Sequence, residues 1–420
     1  MMKGSNLKIV ISNGGFKFHL APAAAELADM KLLDAFITAG YPTDTFKRLF
    51  NKNTSQAAIK RLFDREEAIP TQLIHAQWPA EFMIQSGIRI ARLFKSNLSD
   101  YSENLAMKWY ANSAKKIIKE SKANIYHYRA GYGHQSVEVA KKKGMITICD
   151  HSIAHPALID HFIKNKGEYP SSKNQLHINS YWNDILQDIS QADYVLVNSE
   201  FVKDTMVFMG TPKEKIHVIY LGVDDSFLKN IPIRQKKSET TSSRPLRLLY
   251  AGGIIQRKGF ETLKQALENI AQENWELDIA GGGDVSFMQS MQEFFKHTKV
   301  NYLGNLSREN LAKTMSNADV FIFPSFAEGS ARVVFEALSA GCYVITTPNS
   351  GSIVEDGVHG NLIKPGSSEN LVNAITWCIS NQEQVEACCH KNQQLIFSQY
   401  RQQDYGEKLH SFYKLISHLS

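Results

Sequence analysis

Short apolar runs alternate with longer stretches of helical period along almost the whole chain, and this rhythm constrains the fold most. In the first half "LKIVIS" (7–12), "ANIYHY" (123–128), "MITIC" (145–149), "YVLV" (194–197) and "IHVI" (216–219) read as strands. In the second half the strands are "LRLLYAG" (246–252), "WELDIAG" (275–281), "VNYLG" (300–304), "VFIF" (320–323) and "CYVIT" (342–346). Helical patterns such as "GFETLKQALENIAQ" (259–272) and "SRENLAKTMSNA" (307–318) fall between them, the latter with Ser307 placed as an N-cap. Strand–helix alternation of this kind predicts βα units and mostly parallel sheets, so the fold class is α/β and doubly wound.

The rhythm breaks once, at "KNIPIRQKKSETTSSRPLR" (229–247), which is polar, Ser/Thr-rich and without hydrophobic period. A linker is predicted over 229–245, joining a domain at 1–228 to a second at 246–399. At 420 residues the chain is long enough for two cores. The last segment, 400–420, reads as an amphipathic helix that packs back on the first domain. Two such domains leave a cleft between the carboxyl ends of their strands, where open α/β sheets bind ligands.

Composition excludes several classes. Hydrophobic residues make up 43% and charged residues 21%, as in a globular protein and unlike a disordered or fibrous one. Five unpatterned cysteines fit a reducing compartment, and Cys388-Cys389-His390 lacks a second ligand pair for zinc. No apolar run reaches the roughly 20 residues of a membrane span, and "MMKGSNLKIVISNGG" enters a strand without a secretory leader. A cytoplasmic protein is therefore expected. Residues 101–150 carry nine Lys/Arg against four Asp/Glu, which reads as a solvated helix face or as attraction to an anionic surface such as a membrane leaflet. No nucleic-acid-binding motif accompanies the charge.

Several glycine turns follow strands: "SNGGF" (12–16), "AGGIIQRKG" (251–259) and "AGGGD" (280–284). Glycine lets backbone N–H groups approach a phosphate, although it also simply makes tight turns. None of the three is a dinucleotide fingerprint or a P-loop. The second carries Arg257 and Lys258, cations suited to a diphosphate.

The stretch "PSFAEGSARVVFEALSAGCYVI" (324–345) places Glu328 in a loop after a strand and Glu336 about two helical turns on. Ionised carboxylates only accept hydrogen bonds and suit vicinal hydroxyls, such as those of sugars and riboses. The helix start between them, Gly329 to Arg332, points N–H groups at intervening phosphates. Eight helical residues span about 12 Å, beyond the roughly 5–10 Å of a glycosidase pair, which favours binding roles. Without context, a satisfied buried Glu336 and a helix-start Glu328 are the favoured explanation.

The segment 324–375 resembles the donor-binding region of the retaining glycosyltransferase family 4, a GT-B family, and Glu328 and Glu336 match its E-x7-E signature. "ADYVLVNSEFVKDTMVFMGTPKEKIHVIYLGVD" (192–224) is similar to the end of that family's first domain, and "YAGGIIQRKGFETLKQAL" to the opening of its second. The match covers most of residues 190–375, with the first 190 looser. The resemblance implies two Rossmann-like domains facing each other across a cleft. Activity is then transfer of a sugar from a UDP- or GDP-sugar, without cofactor or metal, to a glycan or lipid-linked acceptor, with polysaccharide or lipopolysaccharide synthesis as the setting and peripheral inner-membrane association.

Carried over residue by residue, the resemblance assigns ribose hydroxyls to Glu336, and donor-sugar hydroxyls to Glu328 beside Gly329, Ser330 and Ala331. Lys258 neutralises the diphosphate. Where the family usually has an arginine this chain has Gly253, so Arg257 stands in for it. Gly14 or Gly15 matches the glycine loop facing the diphosphate, and Gly281 lies in the next turn. On the acceptor side "ITICDHSIAHP" (146–156) offers Asp150, His151 and His155 after a strand, either histidine matching the family's, with His127, His134 and Arg129 on the same edge. Two other classes fit the same fold: a sugar-nucleotide epimerase, and a non-catalytic GT-B scaffold.

Overall fold

A computed structural model describes residues 7–16, 18–54, 56–94, 98–232 and 244–419. Strands β1 (Ile9–Gly14), β2 (Leu33–Thr38), β3 (Ile74–Ala76), β4 (Ile125–Arg129), β5 (Ile146–His151), β6 (Tyr194–Val197) and β7 (Ile216–Val218) form one sheet. Its order is β3-β2-β1-β4-β5-β6-β7, parallel throughout. Strands β8 (Leu246–Ala251), β9 (Trp275–Ala280), β10 (Val300–Gly304), β11 (Val320–Phe323), β12 (Tyr343–Thr346) and β13 (Gly360–Leu362) form the second, ordered β10-β9-β8-β11-β12-β13 and also parallel.

Helices α1 (Leu20–Asp29), α2 (Trp78–Phe94), α3 (Leu98–Glu120), α4 (Pro156–Lys164), α5 (Glu200–Phe208), α6 (Phe260–Asn269), α7 (Arg308–Asn317), α8 (Arg332–Ser339) and α9 (Gln402–Leu419) are among those covering the sheets. Central strands are buried on both faces, which is why they read as continuous apolar runs: all four residues of β11 and of β12 are buried. No helix among the described residues is long and apolar enough to cross a membrane.

Three strands escaped the sequence. β3 and β13 have three residues each and sit at sheet edges, too short to show a period. β2, "LDAFIT", follows the apolar helix α1 so closely that its own run merges with it. Ser307 caps α7 as expected, accepting from the Asn310 N–H at 3.2 Å. Residues 233–243 of the expected linker lie outside the described residues.

Each sheet reverses its strand order once, between β1 and β4 and between β8 and β11. These reversals open a crevice at the strands' carboxyl ends. The chain passes between the domains a second time near residue 400. There the Val223 N–H donates to the Tyr400 carbonyl (2.8 Å) and the Gln402 N–H to the Val223 carbonyl (3.0 Å), so the two crossings lie side by side. Beyond them α9 buries Tyr405, Leu409, Phe412, Tyr413 and Ile416, one face at helical spacing, in the first domain's core with Leu20, Ala24 and Leu27 of α1.

The domains also touch across the crevice. Ala327 joins Leu158, Phe162 and Phe201 in a small apolar cluster. The Ser199 hydroxyl donates to the Gly329 carbonyl (2.5 Å), and the Asn349 amide to the Gly167 carbonyl (2.9 Å).

Candidate functional site

The two turns that carry Lys258 and Glu328 emerge from β8 and β11, the strands flanking the second domain's order reversal. A backbone bond ties them, the Phe326 N–H donating to the Arg257 carbonyl at 2.8 Å. Gly259 closes the first turn at φ 69°, in the left-handed region, and a Cβ there would strike the Pro324 carbonyl. Only glycine lets the turns approach this closely.

Between them the charges meet. Arg257 Nη1 lies 2.8 Å from Glu328 Oε1 and also bonds the Ala327 carbonyl, while Lys258 Nζ is 3.9 Å from the same carboxylate oxygen. The Ser325 hydroxyl donates to that oxygen at 3.2 Å. Lys258 lies over the Phe323 ring and beside the Gly252–Gly253 backbone. Burial lowers the Lys258 pKa, Glu328 opposes the shift and Arg257 adds to it. Gly253 accepts from the Tyr250 hydroxyl (2.7 Å), and Gly281 packs on the Gly252 backbone.

Glu336 lies buried on α8. Burial raises its pKa, with Arg332 and then Arg308 opposing. Arg308 Nη2 is 3.5 Å from Glu336 Oε1 and 2.5 Å from Asp224 Oδ2, and Arg332 Nη2 is 3.1 Å from the same Asp224 oxygen. Two arginines and two carboxylates thus form one cluster beside the chain crossing.

The facing wall is made by the first sheet. Gly14 and Gly15 lie under the Tyr132 ring, and the Tyr110 hydroxyl accepts from the Gly14 N–H at 3.3 Å. At the ends of β4 and β5, Arg129 and Asp150 are register partners joined at 2.6 Å. The same carboxylate takes His19 Nε2 at 2.8 Å and approaches His127 Nε2 at 3.9 Å. Burial alone would raise the Asp150 pKa, but His19, then Arg129 and His127, hold it well below the usual carboxylate range. Arg129 also stacks over Phe18, and His127 Nδ1 pairs with the Tyr413 hydroxyl of α9 at 2.6 Å. His151, one residue on, is buried, and its Nε2 has no hydrogen-bond partner among the described residues. Burial, then Arg129 and His155, push its pKa down to about 3, so it is a neutral imidazole.

A model of the glycosyl transferases group 1 matches residues 233–404, and one of glycosyltransferase family 4 matches residues 68–227. The chain belongs to the group 1, family 4 glycosyltransferases. An uncharacterised glycosyltransferase of Methanocaldococcus jannaschii is 24% identical over 260 residues, 59% of this chain and 65% of that protein. The chain thus spans less than two thirds of that relative, and 39% of the next, the Arabidopsis thaliana sulfoquinovosyl transferase. Further homologues are named for amylovoran synthesis in Erwinia amylovora, capsular polysaccharide synthesis in Staphylococcus aureus and a lipopolysaccharide galactosyltransferase of Escherichia coli. Among solved structures, a glycosyltransferase of Rickettsia africae superposes with a TM-score of 0.65, 17% identity, and 99% and 100% of the two chains covered. HepE of Anabaena in complex with UDP gives 0.62 and 15%, covering 97% and 99%. These likenesses show the GT-B fold.

Several of the expected site residues have partners within the fold. Arg257 is engaged by Glu328 and the Ala327 carbonyl and so ties the loop to the first turn. The Ala331 N–H donates to the Ser350 carbonyl (3.0 Å), which removes it from the N–H groups expected at the phosphates. Gly329 is pressed against the first domain, where a Cβ would meet the Ser152 carbonyl. Neighbouring Ser330 keeps a buried hydroxyl with no partner among the described residues. Arg332 pairs with Asp224.

Both Asp150 oxygens have partners within the fold, Oδ1 with Arg129 Nη1 at 2.6 Å and Oδ2 with His19 Nε2 at 2.8 Å. His155 caps α4, its Nδ1 accepting from the Ala157 N–H at 3.2 Å, and burial pushes its pKa down to about 4. His134 holds a left-handed φ of 41° before its helix, with its N–H on Asp188 Oδ1 at 2.5 Å.

The basic run is also partly engaged within the fold. Lys143 Nζ caps carbonyls of Ile118, Lys119 and Ser121 at the end of α3, Lys108 pairs with Asp184, and Lys141 with Asp193. Sequence reasoning missed His19, Asp224 and Arg308. Asp224 closes the "LGVD" segment as an N-cap, a signal that was legible, whereas His19 and Arg308 gain meaning only from the tertiary contacts.

Proposed function

We propose that this chain transfers a sugar from a nucleoside-diphosphate sugar to a hydroxyl of a glycan or lipid-linked acceptor, with retention at the anomeric carbon and without a metal. The observation that carries the reading is the convergence of Lys258 with Glu328, from two strands flanking an order reversal, while Glu336 is buried two turns further on. Solved neighbours that hold UDP or UDP-glucose support a nucleotide-sugar donor. Homologues named for capsule, amylovoran and lipopolysaccharide synthesis support a cell-surface polysaccharide product, and in this reading it is made by a peripheral enzyme on the cytoplasmic face of the membrane.

In this reading Glu336 accepts from the ribose hydroxyls once the donor displaces Arg308. Lys258 stands at the diphosphate, and Glu328 orients the donor sugar. The sugar C1–O bond to the leaving phosphate breaks as the acceptor oxygen forms its bond on the same face. The acceptor proton passes to the leaving phosphate oxygen, so no protein base is consumed. Lys258 and the N-terminus of α8 stabilise the charge that develops on the diphosphate. Contact between the domains at Gly329 and Ser199 excludes water from the reacting bond.

The test is slow donor hydrolysis without acceptor, followed by proton NMR on a panel of UDP- and GDP-sugars with and without EDTA. Release of the donor's own anomer as the first product, unaffected by EDTA, is expected. The opposite anomer would remove the retaining step, an epimerised nucleotide sugar would favour epimerase chemistry, and EDTA inhibition would remove metal independence.

A further inference from the structure

Glu336 is a carboxylate that the fold nearly buries and leaves unbonded. Its side chain is only 10% exposed, and among the described residues no hydrogen bond reaches either of its oxygens. An ionised carboxylate has about four acceptor sites, and a buried acceptor without partners is costly. Two arginines stand near enough to fill them, Arg332 one turn earlier on α8 and Arg308 on α7. Arg308 Nη2 nevertheless stops 3.5 Å from Glu336 Oε1. A charge-assisted hydrogen bond would close to about 2.7–2.9 Å. Arg257, which pairs with no other carboxylate among the described residues, does close to 2.8 Å on Glu328.

Asp224 accounts for the difference. Its Oδ2 takes both guanidinium groups, Arg308 Nη2 at 2.5 Å and Arg332 Nη2 at 3.1 Å. Its Oδ1 is fixed from the other side by the Ser226 hydroxyl (2.6 Å) and the Phe227 N–H (3.0 Å). Arg308 also lies over the Phe227 ring, 5.4 Å from its centroid. Burial alone would raise the Asp224 pKa, but Ser226, then Arg308, the Phe227 N–H and Arg332 bring it below its ordinary value. Glu336 receives the field of the same two arginines without their hydrogen bonds.

We propose that Asp224 is a positioning residue for donor binding: by holding Arg308 and Arg332, it keeps both Glu336 oxygens open to a pair of vicinal hydroxyls. The proposal rests on the reading of Glu336 as the ribose carboxylate and adds a residue that acts on the donor without touching it. Without the Asp224 charge, the arginines close onto Glu336. A ribose must then break a charge-assisted hydrogen bond before it binds, whereas the wild type has only the 3.5 Å contact to displace.

Asp224→Asn tests this, because asparagine keeps an N-cap oxygen and removes the charge. Calorimetric titrations with UDP, GDP and ADP are run on the full chain as wild type, Asp224→Asn, Arg308→Gln and the double variant. The nucleotide that binds wild type should bind Asp224→Asn about tenfold more weakly, the cost of breaking one hydrogen bond between charged groups. Adding Arg308→Gln to Asp224→Asn should recover part of that loss, about threefold, because it removes the group that closes on Glu336. A merely structural Asp224 gives no recovery, so additive losses, or wild-type affinity in Asp224→Asn, would overturn the proposal. Urea melts need no nucleotide. The coupling in the cycle of Arg308→Gln with Glu336→Gln should rise about twofold in the Asp224→Asn background. An unchanged coupling would overturn the hold of Asp224 on the arginines. If the coupling rises while no nucleotide binds any sample, the donor reading is what fails and the positioning of Glu336 stands.

Discussion

Arg308 and Glu336 meet between α7 and α8, with Nη2 3.5 Å from Oε1, and the same guanidinium holds Asp224 at 2.5 Å. A carboxylate expected to receive ribose hydroxyls is thus met by a cation that also grips the chain crossing. Burial raises the Glu336 pKa, and Arg308 is one of two arginines opposing that rise.

The first prediction follows from this pair. A raised carboxyl takes up a proton on folding, so its stabilising share is present at low pH and is lost as pH rises through the folded value. Arg308→Gln removes a compensating cation, and the stability loss should be larger at pH 8 than at pH 5. Glu336→Gln should rescue it, giving a coupling of about 1 kcal/mol in urea melts of the double-mutant cycle. Additive effects would show that the two side chains are not coupled.

Lys258 and Arg257 are neighbours with different roles. Lys258→Ala should lower kcat by about 10²–10³ through lost stabilisation of the leaving diphosphate. Arg257→Ala releases Glu328 and the Ala327 carbonyl, so its main effect should be on KM. Steady-state kinetics on the donor identified by hydrolysis separate the two. Equal kcat losses would contradict the division.

Gly329 lies where the second domain touches the first. Gly329→Ala places a methyl against the Ser152 carbonyl and should hold the cleft open. A larger radius of gyration in solution scattering, with activity reduced at least about tenfold, is expected for a lost closure step. Activity and radius at wild-type values would show that closure does not run through this contact.

Glu26 lies at the α1–α9 seam, where a Cβ on Gly406 would run into its carboxylate. Its pKa is pushed up to about 7, by burial first and then by Glu407, Asp225 and Glu67. The native state therefore holds a proton that the unfolded chain has lost, and stability should fall as pH rises from about 4.5 to 7. Glu26→Gln should flatten that slope in thermal melts. An unchanged slope would exclude Glu26 as its source.

The fold was legible in the chain because parallel strands buried on both faces appear as unbroken apolar runs, as "VFIF" and "YVLV" do. Three-residue edge strands carry too little pattern to be read, and β2 was hidden by the apolar α1 before it. Glu328, Glu336 and Lys258 could be singled out because a spacing and a turn mark them. The commitment of Asp150 to Arg129 and His19 could not, because it depends on register across β4 and β5 and on a loop 131 residues away. His155 looked like His151 in sequence, and only the helix that begins at Pro156 turns it into a cap.

The most direct test of the donor clamp is calorimetric titration of the full chain with UDP, GDP and ADP, repeated on Glu336→Ala. At least one nucleotide should bind the wild type, and the substitution should weaken it by about 10- to 100-fold, the loss of hydrogen bonds to a charged acceptor. Binding at wild-type affinity in Glu336→Ala, or no binding of any of the three, would contradict it.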